Sequence, residues 1–192
     1  MPKPNPAAME FLLSRRSRPA KTLTFPIPSA QDLHPILTAA ARTPDHGKLE
    51  PWRFIVLADA ALPRLADLTD QRGAALGLDD EKRAKSKTQF SNAGLVVAVV
   101  SSPKSSEKVP YLEQVYSAGA VCLALVNAAL ASGWGANWLT GWMAYDPEIL
   151  TEGLGLGEGE TVAGFIHLGT ETSTPPERPR PDLAAITTWV TE

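Results

Sequence analysis

The chain has 192 residues, enough for one domain with a real hydrophobic core. Apolar residues make up 44% and charged residues 20%, and the net charge is −3, so the basic excess of a general nucleic-acid binder is missing. A single cysteine, Cys122, excludes an intrachain disulfide and CxxC chemistry, and the dispersed histidines His34, His46 and His167 offer no metal-ligand spacing.

The opening "MPKPNPAAME" has no long apolar core and no small-residue cleavage pattern. No signal peptide is expected, and a cytoplasmic chain is. Asn5-Pro6 starts a helix, with asparagine as cap and proline in the first turn. Met9, Leu12, Leu13 and Arg16 follow at helical spacing, and Pro19 ends the helix near Arg18. "TLTFPIPS" reads as an extended linker. Ser29 with Asp32 resembles a capping box for a second helix, whose apolar stripe is Leu33, Ile36, Leu37 and Ala40. Pro35 sits awkwardly in that stripe and argues for a later regular start.

"TPDHGKLEP" is a polar loop bounded by prolines, and "WRFIVLA" after it is a strand. Helices are expected over Ala61–Leu76 and Asp79–Phe90, the second with acids first and bases later, as the helix dipole favours. Gly94–Val100 is a continuous β-branched run, a strand covered on both faces. Gln114–Tyr145 carries no formal charge. Its apolar part, Ala118–Ala131, falls short of the roughly 20 residues a bilayer span needs. A helix from Pro110 to about Ser132, buried within the protein or between subunits, is expected instead, with Gly133 closing it.

"WGANWL" then gives a short strand, "TGWMAYDP" a loop, Pro147–Leu154 a short helix and "TVAGFIHLG" the last core strand. From about Thr170 the tail is proline-rich, and its "ITTWV" reads as an extra strand. No linker divides the chain. A single domain over residues 1–192 is expected, of α/β or α+β class, with helices on both faces of one sheet.

No G-x-x-x-x-G-K-[ST], G-x-S-x-G or G-x-G-x-x-G is present; alternating Gly153, Gly155, Gly157 and Gly159 precede a strand and read as a turn. Arg15, Arg16, Ser17 and Arg18 admit two readings. They cap the carbonyl end of the first helix, or they clamp a phosphate, since guanidinium groups offer paired donors and serine a hydroxyl. Arg42 and His46 flank the polar loop, either solvated or reading a polar ligand edge, and Asp45 can make an Asx-turn. His34, His167 and Cys122 read as structural. Trp134, Trp138 and Trp142 lie four apart, as aromatic core or as a wall beside a planar cofactor.

Put in order, "LLSRRSRP", "ILTAAARTPDHGKLEPWRFIV", "KVPYLEQVYSAGAVCLALVNAALASGWGANWLTG" and "VAGFIHLGT" resemble the flavin-dependent nitroreductase family over about Glu10–Thr170. The resemblance implies an α+β fold, a central mixed β-sheet flanked by helices and built as an intertwined homodimer, with FMN at the dimer interface. It implies that Arg15, Arg16 and Ser17 hold the phosphate and ribityl side, and that Arg42 and His46 approach the flavin, His46 from the partner subunit. It gives Trp138, Leu139 and Thr140 backbone contacts near the ring, and Ala128–Gly133 contacts to NAD(P). Relatives place basic residues near the C-terminus on the phosphate, a role open here to Arg178 or Arg180.

Two departures are visible. The family's P-S-x-x-N-x-Q-P-W loop is here Pro44-Asp45-His46-Gly47-Lys48-Leu49-Glu50-Pro51-Trp52, and Leu139 stands where an arginine can occur. The activity implied is hydride transfer from NAD(P)H through FMN to nitroaromatics, quinones or a related small electron-poor acceptor. The cofactor carries that chemistry, so no catalytic side chain and no metal is named. No nucleic-acid or membrane partner is expected. The alternatives are a flavin-handling protein without turnover and, more remotely, an adaptor using its arginine cluster.

Overall fold

The structure is a computed structural model that describes residues 3–192. Its frame is β3 (Leu95–Ser101) with β2 (Trp52–Ala58) on one side and β5 (Thr161–Glu171) on the other. β4 (Gly135–Leu139) and the two-residue β1 (Leu23–Thr24) also pair with β5. Among the described residues all four ladders are antiparallel.

β3 is buried at every position, and its alternation divides the core in two. Val96, Ala98 and Val100 face the helical pair α3 (Ala61–Ala75) and α4 (Asp80–Ser91), packing with Leu62, Leu65 and Phe90. Leu95, Val97 and Val99 face α2 (Ala30–Ala40) and α5 (Tyr111–Ala131), packing with Ile36, Val121 and Leu125. Each fully buried aliphatic side chain is worth about 1.5–3 kcal/mol over leaving it in water. Helices on both faces of one sheet are the expected α+β arrangement.

α1 (Pro6–Ser14) begins as its sequence requires: Asn5 caps it by accepting from the Ala8 amide at 3.1 Å. α2 starts at Ala30, ahead of Pro35, and not after it. The capping box decides this, with Asp32 N donating to Ser29 Oγ at 3.2 Å and Ser29 N to Asp32 Oδ2 at 3.0 Å. Pro35 lies on the exposed side, where one lost backbone bond is tolerated.

α5 runs 21 residues and is long and apolar enough by composition to cross a membrane. The apolar stretch exceeds the expected Ala118–Ala131 because the helix also takes in Tyr111, Leu112, Val115 and Tyr116. The helix instead lays an inner stripe from Ser117 to Ala129 on the sheet and leaves Tyr111, Leu112, Tyr116 and Leu123 exposed.

"TLTFPIPS" is not a plain linker, since Leu23 and Thr24 within it form β1. The segment expected as a short helix after Pro147 closes as a π-helical turn, Ile149–Gly153. The "ITTWV" strand does not form within the chain. α6 (Leu183–Ile186) is a single helical turn, and Trp189 and Val190 follow it 85% and 83% exposed. A strand needs a hydrogen-bonding edge, and none in the chain pairs with this segment.

Candidate functional site

Residues 15–22 run along the free edge of β4. The Arg18 amide donates to the Ala136 carbonyl at 2.8 Å, and Asn137 Nδ2 donates to the Arg18 carbonyl at 2.6 Å. This pins the arginine cluster between two cavities.

The first cavity, of about 320 Å³, is lined by Phe11, Arg15, Arg16, Arg18, Leu130 and Trp134, with Gly133 and Glu171 at its margin. α1 ends before the cluster, and the arginine side chains do not cap it. Arg15 Nη2 donates to Ser17 Oγ at 3.0 Å, and Arg16 Nη2 reaches the Pro176 carbonyl at 2.9 Å. Arg18 pairs with Glu171. Among the described residues neither Arg15 nor Arg16 has a carboxylate within ion-pairing distance, and the Nε of each is buried without a partner. Burial, together with Arg180, Arg16 and Arg18 nearby, holds the Arg15 guanidinium below its ordinary value. Arg180 therefore comes back toward the cluster while pairing with Glu177 at 2.7 Å. The Arg178 amide donates to Glu177 Oε1 at 3.0 Å. Concentrated cationic donors with unspent N–H groups fit an anion of phosphate type.

The second cavity, of about 420 Å³, lies between the C-terminal half of α4 and β4. Leu139 and Asn137 supply one wall, Lys85, Gln89 and Asn92 another, and Pro19 and His167 close it. His167 is 3% exposed and its ring lies near-parallel to Phe90, centroids 6.5 Å apart. Burial pushes its imidazole down to about 4, so it is neutral at pH 7. His167 Nε2 and Gln89 Oε1 are both buried without a hydrogen-bond partner. Each such atom costs about 1–3 kcal/mol in a closed fold.

Trp138 points to the opposite face of the sheet from Leu139. Its indole lies on Gly164, where a Cβ would meet Nε1 at 2.1 Å, and Nε1 donates to the Ala163 carbonyl at 3.2 Å. Trp134 packs with the α5 side and Trp142 with the α3 side, donating to Ser86 Oγ at 2.8 Å. The three tryptophans are thus split between faces and form no wall. Thr140 follows β4, half-buried.

Arg42 and His46 line neither cavity. Arg42 is exposed just past α2. His46 Nδ1 lies 2.8 Å from Glu113 Oε2 on the first turn of α5, and both side chains are exposed. The loop that carries His46 is built by Asp45, whose Oδ1 accepts from the Leu49 amide at 2.5 Å and the Glu50 amide at 3.2 Å. Ser117 Oγ donates to the Pro44 carbonyl at 3.0 Å and accepts from Trp52 Nε1 at 3.1 Å. Within the loop Lys48 and Glu50 hold φ of 52° and 48°, left-handed values that cost a non-glycine residue about 1–3 kcal/mol each.

The structure therefore unites Arg15, Arg16 and Ser17, places Leu139 in the neighbouring cavity, and keeps Arg42 and His46 apart from both. Sequence reasoning missed Gln89 and Glu113, and it took His167 for plain core. An apolar strand with one histidine gives no sign of a cavity whose opposite wall comes from α4.

A sequence profile of the nitroreductase family matches residues 12–170. The chain is 36% identical over 163 residues to a protein of Escherichia coli (strain K12) that carries the provisional name NAD(P)H nitroreductase YdjA, covering 85% of this chain and 87% of that one. A crystal structure of a nitroreductase-like family protein from Bacillus cereus superposes with a TM-score of 0.80 at 22% identity, covering 99% of this chain and 98% of that one. A nitroreductase from Desulfovibrio desulfuricans, solved in complex with FMN, gives 0.74 at 20% identity, covering 98% and 99%. With its two-faced sheet, its arginine cluster on the β4 edge and this match over most of its length, the chain belongs to the nitroreductase family.

Proposed function

We propose that the protein is an FMN-dependent oxidoreductase that takes a hydride from NAD(P)H and passes it to a nitroaromatic, a quinone or a related electron-poor small molecule. The observation that carries this reading is the pair of unpaired, partly buried guanidinium groups of Arg15 and Arg16 beside Ser17, with Arg180 close by. They would hold the FMN phosphate, and the second cavity, walled by Leu139, would take the ring beside β4. When bound, the flavin supplies the hydride chemistry. The chain binds and orients it. Arg15 is fixed toward the phosphate by Ser17, and Leu139 and Pro19 give the ring apolar contact. Trp138 and Thr140 contribute backbone groups at the end of β4.

The functional unit is a homodimer in the cytoplasm. Exposed Tyr116 and Leu123 on α5, Leu13 on α1 and Trp189 in the tail are too apolar a set for open water, and a second copy covers them. His46, oriented by Glu113, then reaches the flavin of the partner subunit, and Arg42 approaches with it.

The test is a visible spectrum of the purified protein, followed by anaerobic titration with NADH and NADPH. Flavin absorbance that bleaches on addition and returns with a quinone supports the reading. A protein left colourless after incubation with excess FMN overturns it, and bound flavin that no pyridine nucleotide bleaches leaves a flavin-handling protein instead. Arg15→Ala should weaken FMN about tenfold to a hundredfold and leave riboflavin, which lacks the phosphate, nearly unchanged.

A further inference from the structure

The second cavity has a polar inventory that the protein itself only partly uses. Asn137 Nδ2 is spent on the Arg18 carbonyl, and Thr88 Oγ1 on the Lys85 carbonyl. Asn92 Oδ1 accepts from Ser91 Oγ at 3.3 Å. Exposed Lys21 and Lys85 also belong to the lining, while Gln89 Oε1 and His167 Nε2 are both buried and both without a partner. These two come from α4 and from β5, which also pack together through Phe90 and Phe165, and Leu139, Ala93 and Pro19 in the same lining are apolar.

We propose that Gln89 and His167 are positioning residues of a subsite for the amide edge of a flat heterocycle, seated between α4 and β4. A carboxamide oxygen can only accept, so it calls for a ligand N–H. A neutral imidazole nitrogen donates or accepts by tautomer, and in its Nε2–H form it calls for a ligand C=O. Adjacent N–H and C=O groups on one planar ring satisfy both, while the apolar residues lie against its faces. Lys21 and Lys85 stand exposed in the lining, so the buried Gln89 oxygen and the neutral imidazole, which give an anion no charge, select for the amide edge. The cavity, at about 420 Å³, is within the range that small planar ligands occupy.

This inference rests on the flavin reading. Two molecules of that reaction carry the chemistry named: the flavin ring through its pyrimidine edge, and the nicotinamide through its carboxamide.

The experiment titrates the full-length apoprotein with FMN and, separately, with riboflavin, following flavin fluorescence. The proteins compared are wild type, His167→Phe, Gln89→Leu and His167→Gln. If the flavin ring is the occupant, His167→Phe and Gln89→Leu weaken FMN and riboflavin alike, about tenfold each, because the ring and not the phosphate loses its partner. His167→Gln restores part of the loss, and the flavin absorbance maximum shifts in the phenylalanine and leucine variants. If the nicotinamide is the occupant, both flavin constants stay at wild type and the dissociation constant of NADH on the flavin-loaded protein rises about tenfold. Gln89→Leu, on the half-buried side of α4, keeps the test alive should His167→Phe fail to fold. Wild-type binding of every ligand by Gln89→Leu overturns the proposal while leaving the flavin reading standing. A wild-type protein that takes up no flavin brings down that reading, and this inference with it.

Discussion

His167→Phe should remove a pH dependence from the stability of the fold. In the unfolded chain the imidazole titrates at its ordinary 6.5, and in the fold burial pushes it down to about 4. Between those values the unfolded chain takes up a proton that the folded chain refuses. Stability is therefore full above about pH 6.5, falls as the pH drops, and levels off below about 4. At 1.36 kcal/mol per pH unit the gap is worth about 3 kcal/mol. That is a large part of the roughly 5–15 kcal/mol holding a typical domain together.

The assay is urea denaturation of wild type and His167→Phe without added ligand, followed by tryptophan fluorescence from pH 7.5 to pH 4. Other titrating groups act on both proteins. Glu160, held down to about 2 chiefly by its hydrogen bonds from Arg53, loses its contribution only as the pH falls below its ordinary 4.5 toward 2. It cancels in the difference. The phenylalanine differs in packing, but that offset is independent of pH. The difference in unfolding free energy should shift toward the variant by about 3 kcal/mol between pH 7.5 and pH 4. A difference that stays flat across this range refutes the reasoning.

Gly164→Ala should cost about 1–3 kcal/mol by driving a methyl group into the Trp138 indole. In a Trp138→Ala background the same substitution should cost close to nothing, which a double-mutant cycle in urea measures. Asp45→Ala removes a carboxylate that holds two loop amides and should cost about 1.5–3 kcal/mol, with faster hydrogen exchange at Leu49 and Glu50. Truncation after Ser173 removes Leu183, Ile186, Trp189 and Val190, and light scattering should then report a monomer; an unchanged dimer would contradict the role given to the tail.

What could be read from the sequence was set by short-range physics. The unbroken apolar run of β3 announced a strand with both faces covered, and Asn5-Pro6 announced a helix start; both are as the structure has them. The capping box was also visible, but its authority over Pro35 was underestimated, because the cost of one exposed proline is smaller than the gain from two satisfied amides. The arginine cluster was legible as a cluster. Which arginine is neutralised was not, since Arg18 meets Glu171 from the far end of the chain while Arg15 and Arg16 meet no carboxylate. His167 was misjudged for the same reason: its environment is made by Phe90 and Gln89, and only the tertiary fold brings them to β5. "ITTWV" has the composition of a strand, yet composition cannot supply the edge it needs.

The position of β5 has a consequence for how the protein is made. Among the described residues β1 and β4 have no ladder partner except β5, and β3 has one long edge that only β5 covers. On the ribosome, β2, α3, α4 and β3 emerge before β5 and can associate, but the edge of β3 stays open until residue 161 follows residue 101. At about 5–20 residues per second that interval is roughly 3–12 s. During it a strand apolar from Leu95 to Val100 presents unpaired backbone groups to solvent, the kind of surface that chaperones bind and that seeds aggregation. A nascent chain arrested before β5 should therefore be held by a chaperone or degraded, and release should coincide with synthesis of the "TVAGFIHLG" segment.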